Sequence, residues 1–250
     1  MEHWYYYPIL IVVGFVVGFI NTVAGGGSLL SLPVLIFMGL PPTLANGTNR
    51  VAIVIQTALA TAGFKSKGVS TFPFNIYLGI AAFFGSLLGA KIAVDIDEAI
   101  FNKVLATIMV VVILIIIFKP QTNLTNLQER LTGKYLWLGI IVFFFLGIYG
   151  GFINAGIGFL IILYLHYTHY MSLVRVNATK VFVVFIYTLG ALAVFIFNDK
   201  VDFKIGLILA IGNAAGAWVS SRLSVKKGDG YIRTFLIVMV SIMAIKLWFF

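Results

Sequence analysis

Two short sets of polar residues at the head of long apolar runs are the part of this chain best equipped for chemistry. The first is Asn46, Thr48, Asn49 and Arg50; the second is Asn177, Thr179 and Lys180. Each set offers an amide, a hydroxyl and a cation. Such groups suit a tetrahedral oxyanion, with Arg50 as a fork of donors and Lys180 as a point charge. Upstream of each lies a glycine-rich interruption: Asn21 with Gly25, Gly26, Gly27 and Ser28 in the first half, and Asn154 with Gly156 and Gly158 in the second. A helix that begins after such a run turns free N–H groups and a partial positive charge toward an anion. Ser28 is placed to cap the first of these helices. Competing roles exist for each feature: small residues also let helices pack closely, and Arg50 or Lys180 can snorkel to a membrane surface. Lys180 stands seven residues into its apolar run, where snorkelling is harder and ionisable groups are functional by default. Asn21 and Asn154 recur at the ends of equivalent runs, so capping a broken helix competes evenly with ligand binding.

The remaining polar residues have blander readings. Gln56, Thr57 and Thr188 are expected to hydrogen-bond a neighbouring helix, Asn213 serves either purpose, and Lys91 snorkels. His166 and His169 could share a helix face, but no carboxylate lies near them in sequence and no HExxH or Ser/His/Asp pattern appears, so they read as interfacial histidines. No catalytic residue, metal ligand or cofactor site is expected. The chain has no cysteine, which excludes disulfides, thiolate metal sites and thiol redox chemistry.

The elements that hold these residues are membrane helices. Of 250 residues 61% are hydrophobic and only 10% charged, against about 25% charged in a soluble domain. Mean hydropathy is +1.08. Runs such as 104–118 and 205–219 are apolar all round, so lipid must be their solvent. Ten segments are expected, near residues 5–23, 28–39, 44–63, 73–94 and 100–118, then 135–154, 158–170, 173–197, 202–222 and 230–250. The first begins without a basic n-region or a stand-alone cleavage site, so it reads as a spanning segment and not an export signal. The polar interval 119–134 is the linker between a first repeat, 1–118, and a second, 135–250.

The halves echo each other. Gly18-Phe19-Ile20-Asn21 returns as Gly151-Phe152-Ile153-Asn154, and Gly79, Gly85, Gly89 and Ala90 return as Gly206, Gly212, Gly216 and Ala217 at the same spacing. Duplicated, glycine-interrupted apolar halves point to a secondary transporter with its substrate site at the repeat interface. The segments 29–39 and 159–170 are shorter than the roughly 20 residues a crossing needs, so they are expected to dip into the membrane and line a cavity.

Parity relates the halves. Short segments that only re-enter leave four crossings per half and parallel repeats; counted as crossings they give five, and inverted repeats. Under the odd count Lys65, Lys67, Lys119, Arg130, Lys134, Arg175, Lys180, Arg222, Lys226, Lys227 and Arg233 share one side with Glu129 and Asp229, leaving six basic residues opposite. The positive-inside rule makes the basic side cytoplasmic. The expected fold is therefore an all-α integral membrane protein of about ten helical segments in two inverted five-segment repeats, with short broken helices near the membrane centre. It would be multi-pass in the cell membrane, with both termini outside. The net charge of +9 is the excess on the basic side, so no nucleic-acid partner is needed.

The run Gly18 to Ser28, with Pro33, Gly39, Pro41 and Ala45-Asn46-Gly47-Thr48-Asn49, resembles the first-half signature of the TauE/SafE sulfite exporter family. The run Gly151 to Gly158, followed by Asn177-Ala178-Thr179-Lys180, resembles its repeated motif. The resemblance covers essentially the whole chain. It implies a membrane permease for small sulfur-containing or organic anions such as sulfite and sulfoacetate. Ile157 and Phe159 stand where the first loop has glycine and serine, so the two loops are not expected to contribute equally. A cysteine-based thiosulfate relay is excluded.

Three functions are weighed: a secondary carrier of small oxyanions, an anion channel of the same architecture, and an integral membrane enzyme. The carrier comes first. Its partners would be a small anionic substrate and the lipid bilayer, with a homodimer as the expected assembly.

Overall fold

The computed structural model describes residues 6–117 and 128–249; the linker expected at 119–134 lies largely outside them. The described residues form nine helices and no strand: α1 (Tyr6–Val23), α2 (Ser28–Phe37), α3 (Pro42–Lys65), α4 (Phe74–Asp95), α5 (Glu98–Ile117), α6 (Gly133–Phe152), α7 (Ile157–His169), α8 (Leu173–Phe197) and α9 (Phe203–Phe249). The backbone of α9 breaks at Gly228, with φ 70° and ψ −169°, between the ninth and tenth expected segments. Helices α4, α6, α8 and the part of α9 from Phe203 to Leu236 are long and apolar enough to cross a membrane. Stripes of large apolar side chains face outward, Ile80, Phe84 and Leu88 on α4 and Trp137, Ile141 and Phe145 on α6. Such one-sided exposure at i, i+4 spacing is what a lipid solvent favours. This is an all-α membrane protein.

The two short helices turn back. Leu10 near the start of α1 shares a buried cluster with Leu35 and Leu40 at the end of α2, so α2 returns to the end of the molecule where α1 began. The amide of Arg130, just before α6, donates to the carbonyl of His169 at the end of α7 (3.0 Å). Each pair, α1–α2 and α6–α7, is thus a hairpin that starts and finishes at one end, and the two hairpins start from opposite ends.

Glycine explains how the halves interlock. A Cβ on Gly85 or Gly89 of α4 would overlap the carbonyls of Phe144 or Ile148 on α6, and one on Gly212 or Gly216 of α9 would overlap those of Ile11 or Phe15 on α1. The partner helices answer with Gly147 and Gly151, and with Gly14 and Gly18. Four-residue spacing of small side chains on both partners brings backbones into contact, where dispersion can replace the hydrophobic effect that lipid does not supply. The recurrent glycines of the fourth segments therefore serve packing, and each joins its own half to the first helix of the other.

Candidate functional site

The hairpin tips meet at the centre. Gly25 and Gly158 lie back to back, so close that a Cβ on either would overlap the other's backbone, and the Phe159 ring covers Gly26. Gly25 ends α1 at φ 83° and Gly156 precedes α7 at φ 75°. Left-handed backbone of this kind is what glycine supplies at a helix end. Gly27 packs against the carbonyl of Val17 and the side chain of Asn21.

Each tip is held by a cation from the opposite half. Lys180 Nζ donates to the carbonyls of Asn21 (3.1 Å) and Thr22 (2.9 Å) and to Asn177 Oδ1 (2.7 Å), while Asn177 Nδ2 donates to the Val23 carbonyl (3.0 Å). In the first half, Arg50 donates to the carbonyls of Gly150 (3.0 Å) and Gly151 (2.5 Å), and Asn46 Nδ2 to that of Phe152 (2.8 Å). A helix leaves its last carbonyls without intrahelical donors and carries a partial negative charge there. Asn46 with Arg50 on α3 cap α6, and Asn177 with Lys180 on α8 cap α1. Arg50 and Lys180 are 0% and 2% exposed, so neither snorkels. Lys180 commits all three of its N–H donors to these oxygens.

A second matched layer lies ten residues on. Asn21 Nδ2 donates to Gln56 Oε1 (3.3 Å), and Asn213 Nδ2 to the same oxygen (3.2 Å). In the other half the Tyr187 hydroxyl donates to Asn154 Oδ1, and Ser86 Oγ to the Tyr187 carbonyl (2.8 Å). Tyr187 and Ser86 did not stand out in the sequence. Their signal is positional: Tyr187 follows Asn177 by the ten residues that separate Gln56 from Asn46, and Ser86 falls in the glycine-flanked position that Asn213 occupies in α9.

Ser28 does not cap α2. The N-cap position is Gly27, already helical at φ −58° and ψ −38°. Ser28 therefore lies inside the first turn, where its Oγ accepts from Asn154 Nδ2 (3.2 Å). Thr48 and Thr179 stand away from the tips and tie helices to loops: Thr48 Oγ1 accepts from the Asp202 amide (2.9 Å), and Thr179 Oγ1 meets Thr71 Oγ1 (3.0 Å). Asn49 is fully buried, with neither end of its amide hydrogen-bonded. His166 and His169 are buried and not interfacial; their Nδ1 atoms lie 2.8 Å from the Met171 carbonyl and 2.6 Å from that of Arg130.

What remains open at the centre is a chamber of about 10 Å³ lined by Asn21, Gln56, Thr57, Asn154, Ile157, Gly158, Lys180, Val181 and Val184. It brings together Asn21, Asn154, Gly158 and Lys180 from the expected site. Arg50, Asn46 and Asn177 stand behind it as caps. The buried polar residues include no Asp or Glu among those described. The ion pairs found among the described residues, Lys91–Asp95 and Arg175–Glu129, involve neither central cation.

The sequence profile of the family described as Sulfite exporter TauE/SafE matches residues 10–247. This chain belongs to that family. A "Probable membrane transporter protein" of Haemophilus influenzae is 31% identical over 239 residues, covering 96% of this chain and 93% of the relative. The "Probable membrane transporter protein YfcA" of Escherichia coli K12 is 27% identical over 240 residues, 96% of this chain and 88% of the relative. A "Probable membrane transporter protein ORF9" of a Sinorhizobium species is 26% identical over 238 residues, 95% and 90% of the two chains. No solved structure matches. In this TauE/SafE protein the two glycine loops are unequal, since Phe159 of the second fills the space left by Gly26 of the first.

Proposed function

We propose that this protein is a secondary carrier of small anions, with sulfur oxyanions and organosulfonates such as sulfite and sulfoacetate as its substrate class. The observation that carries this reading is the pair of buried cations on the hairpin tips, unaccompanied by any buried carboxylate among the described residues. Left alone, the C-termini of α1 and α6 would direct negative potential at the chamber. Lys180 and Arg50 cancel it, so the N-terminal end of α7, where Ile157 and Gly158 line the chamber, acts on it unopposed, favouring an anion. Burial strengthens the effect, because screening by water is weak there.

The chamber is the size of about one water probe, far below an oxyanion with three or four oxygens. Substrate therefore requires the tips to separate. Hairpins that enter from opposite ends and are held by the opposite half suit a rocking motion of two inverted repeats, with both chain termini outside. The glycine-lined seams between α1 and α9 and between α4 and α6 join the two halves, so they are the surfaces across which the repeats move.

Counterflow in proteoliposomes tests the proposal. Purified protein loaded with unlabelled sulfite should accelerate entry of labelled sulfite, and organosulfonates should compete. Flux without saturation or trans-acceleration would instead indicate a channel, and product formation without net flux an enzyme.

A further inference from the structure

A second cavity, of about 270 Å³, opens beside the centre, with Thr61, Lys65, Thr71, Asn75, Ala178 and Phe182 in its lining. It lies at the end of the molecule where α3 finishes and α8 begins. That end is the basic one: Lys65 closes α3 and Lys67 lies in the turn after it, Arg130 stacks on Tyr135 and Tyr170, and Arg175 sits in the first turn of α8. The cavity and the central chamber share two helix faces. On α8, Ala178 lines the outer cavity while Val181 and Val184 line the chamber; on α3, Lys65 and Thr61 line the outer cavity while Thr57 lines the chamber. These positions are three or four residues apart, so each set is one continuous stripe. The Thr61 hydroxyl donates to the Thr57 carbonyl (2.7 Å), which marks the step between the two spaces.

The outer cavity is walled mainly by apolar side chains, and Thr61, Ser70, Thr71 and Asn75 set polar groups into that wall. Thr71 and Asn75 are 2% and 4% exposed yet face it, and Asn75 Oδ1 has no hydrogen-bond partner. A primary amide offers donors or an acceptor according to its rotation. With Lys65 at its rim, the cavity combines a cation with buried polar groups at a size that holds a small oxyanion together with water.

We propose that this cavity is the entry vestibule and waiting site for the anion, reached from the basic end alone and separated from the central chamber by the constriction between Thr57 and Val181. The inference rests on the transport reading above, but access and binding are measurable without flux.

The chain's lack of cysteine makes the test direct. Single variants Thr61→Cys and Ala178→Cys are made beside two markers, Lys67→Cys at the basic end and Asn198→Cys at the exposed opposite end. Membrane vesicles of both orientations are treated with the impermeant anion 2-sulfonatoethyl methanethiosulfonate. Thr61→Cys and Ala178→Cys should label in the orientation that labels Lys67→Cys and lose labelling in the one that labels Asn198→Cys. Excess isethionate should slow their labelling and leave the Lys67→Cys marker unaffected. Labelling from both faces, labelling that follows Asn198→Cys, or no protection by isethionate would overturn the vestibule. One-sided, protected labelling in a protein that shows no counterflow would leave the vestibule standing and reject the carrier.

Discussion

Arg50→Ala separates a cation that holds the fold from one kept only for a ligand. In the structure the guanidinium makes two close bonds, to the carbonyls of Gly150 (3.0 Å) and Gly151 (2.5 Å), and its carbon lies 4.8 Å from the centre of the Phe195 ring. Hydrogen bonds from a charged donor contribute about 1.5–3 kcal/mol each, so the substitution removes about 3–6 kcal/mol in gross terms and leaves two buried acceptors unpaired. Against this, a buried ion is freed of a desolvation penalty of several kcal/mol. Asn46 still caps the Phe152 carbonyl. The expected net effect is a loss of about 1–3 kcal/mol, with Arg50→Lys intermediate because a compact ammonium reaches fewer of the oxygens. The assay is reversible unfolding of detergent-solubilised protein without anion, alongside counterflow. A cation held only for substrate gives the opposite sign: without anion it is an uncompensated charge, and its removal should stabilise the protein. An Arg50→Ala protein as stable as the parent, or more so, would refute the capping argument.

Gly89→Ala and Gly216→Ala should each destabilise by about 1–3 kcal/mol, as overpacking at a close contact does, and should lower the yield of monodisperse protein on size exclusion. Gly39→Ala, whose Cβ would meet nothing within 4 Å but whose φ is +96°, should express normally and cost about 1 kcal/mol of unfolding free energy. Asp229 accepts from the amides of Leu173 and Val174 at 2.9 Å each, so Asp229→Ala should cost about 1–2 kcal/mol and expose α8's first turn to hydrogen exchange. Tyr187→Phe strips the hydroxyl from Asn154 Oδ1 and should weaken sulfite counterflow while costing only about 1–2 kcal/mol in unfolding.

Features written in local sequence were legible, and features that depend on which half touches which were not. The segment expected at 173–197 is α8 to the residue, and 28–39 holds α2 at Ser28–Phe37, because Pro, Gly and polar turns punctuate apolar runs locally. Arg50 and Lys180 stood out by type, yet their roles lie across 100 and 159 residues of chain, at Gly150 and at Asn21. No spacing rule within one helix can show that the Arg50 fork closes on another helix's last turn. The Ser28 cap failed for a related reason: serine after three glycines reads as a helix start, but the turn begins one residue earlier and frees the hydroxyl for Asn154. What the duplicated motif could have revealed is the matching of contacts. Gln56 and Tyr187 occupy the same place in their halves while differing in chemistry, an amide that accepts from Asn21 and a phenol that donates to Asn154. Gln56 lines the chamber beside Asn21, whereas Tyr187 stands behind Asn154, whose amide donates to Ser28 Oγ of the other tip. On the carrier reading, an anion, which only accepts, should side with the half whose asparagine amide is released when the tips part, and substitution of that asparagine should weaken sulfite counterflow more than substitution of the other.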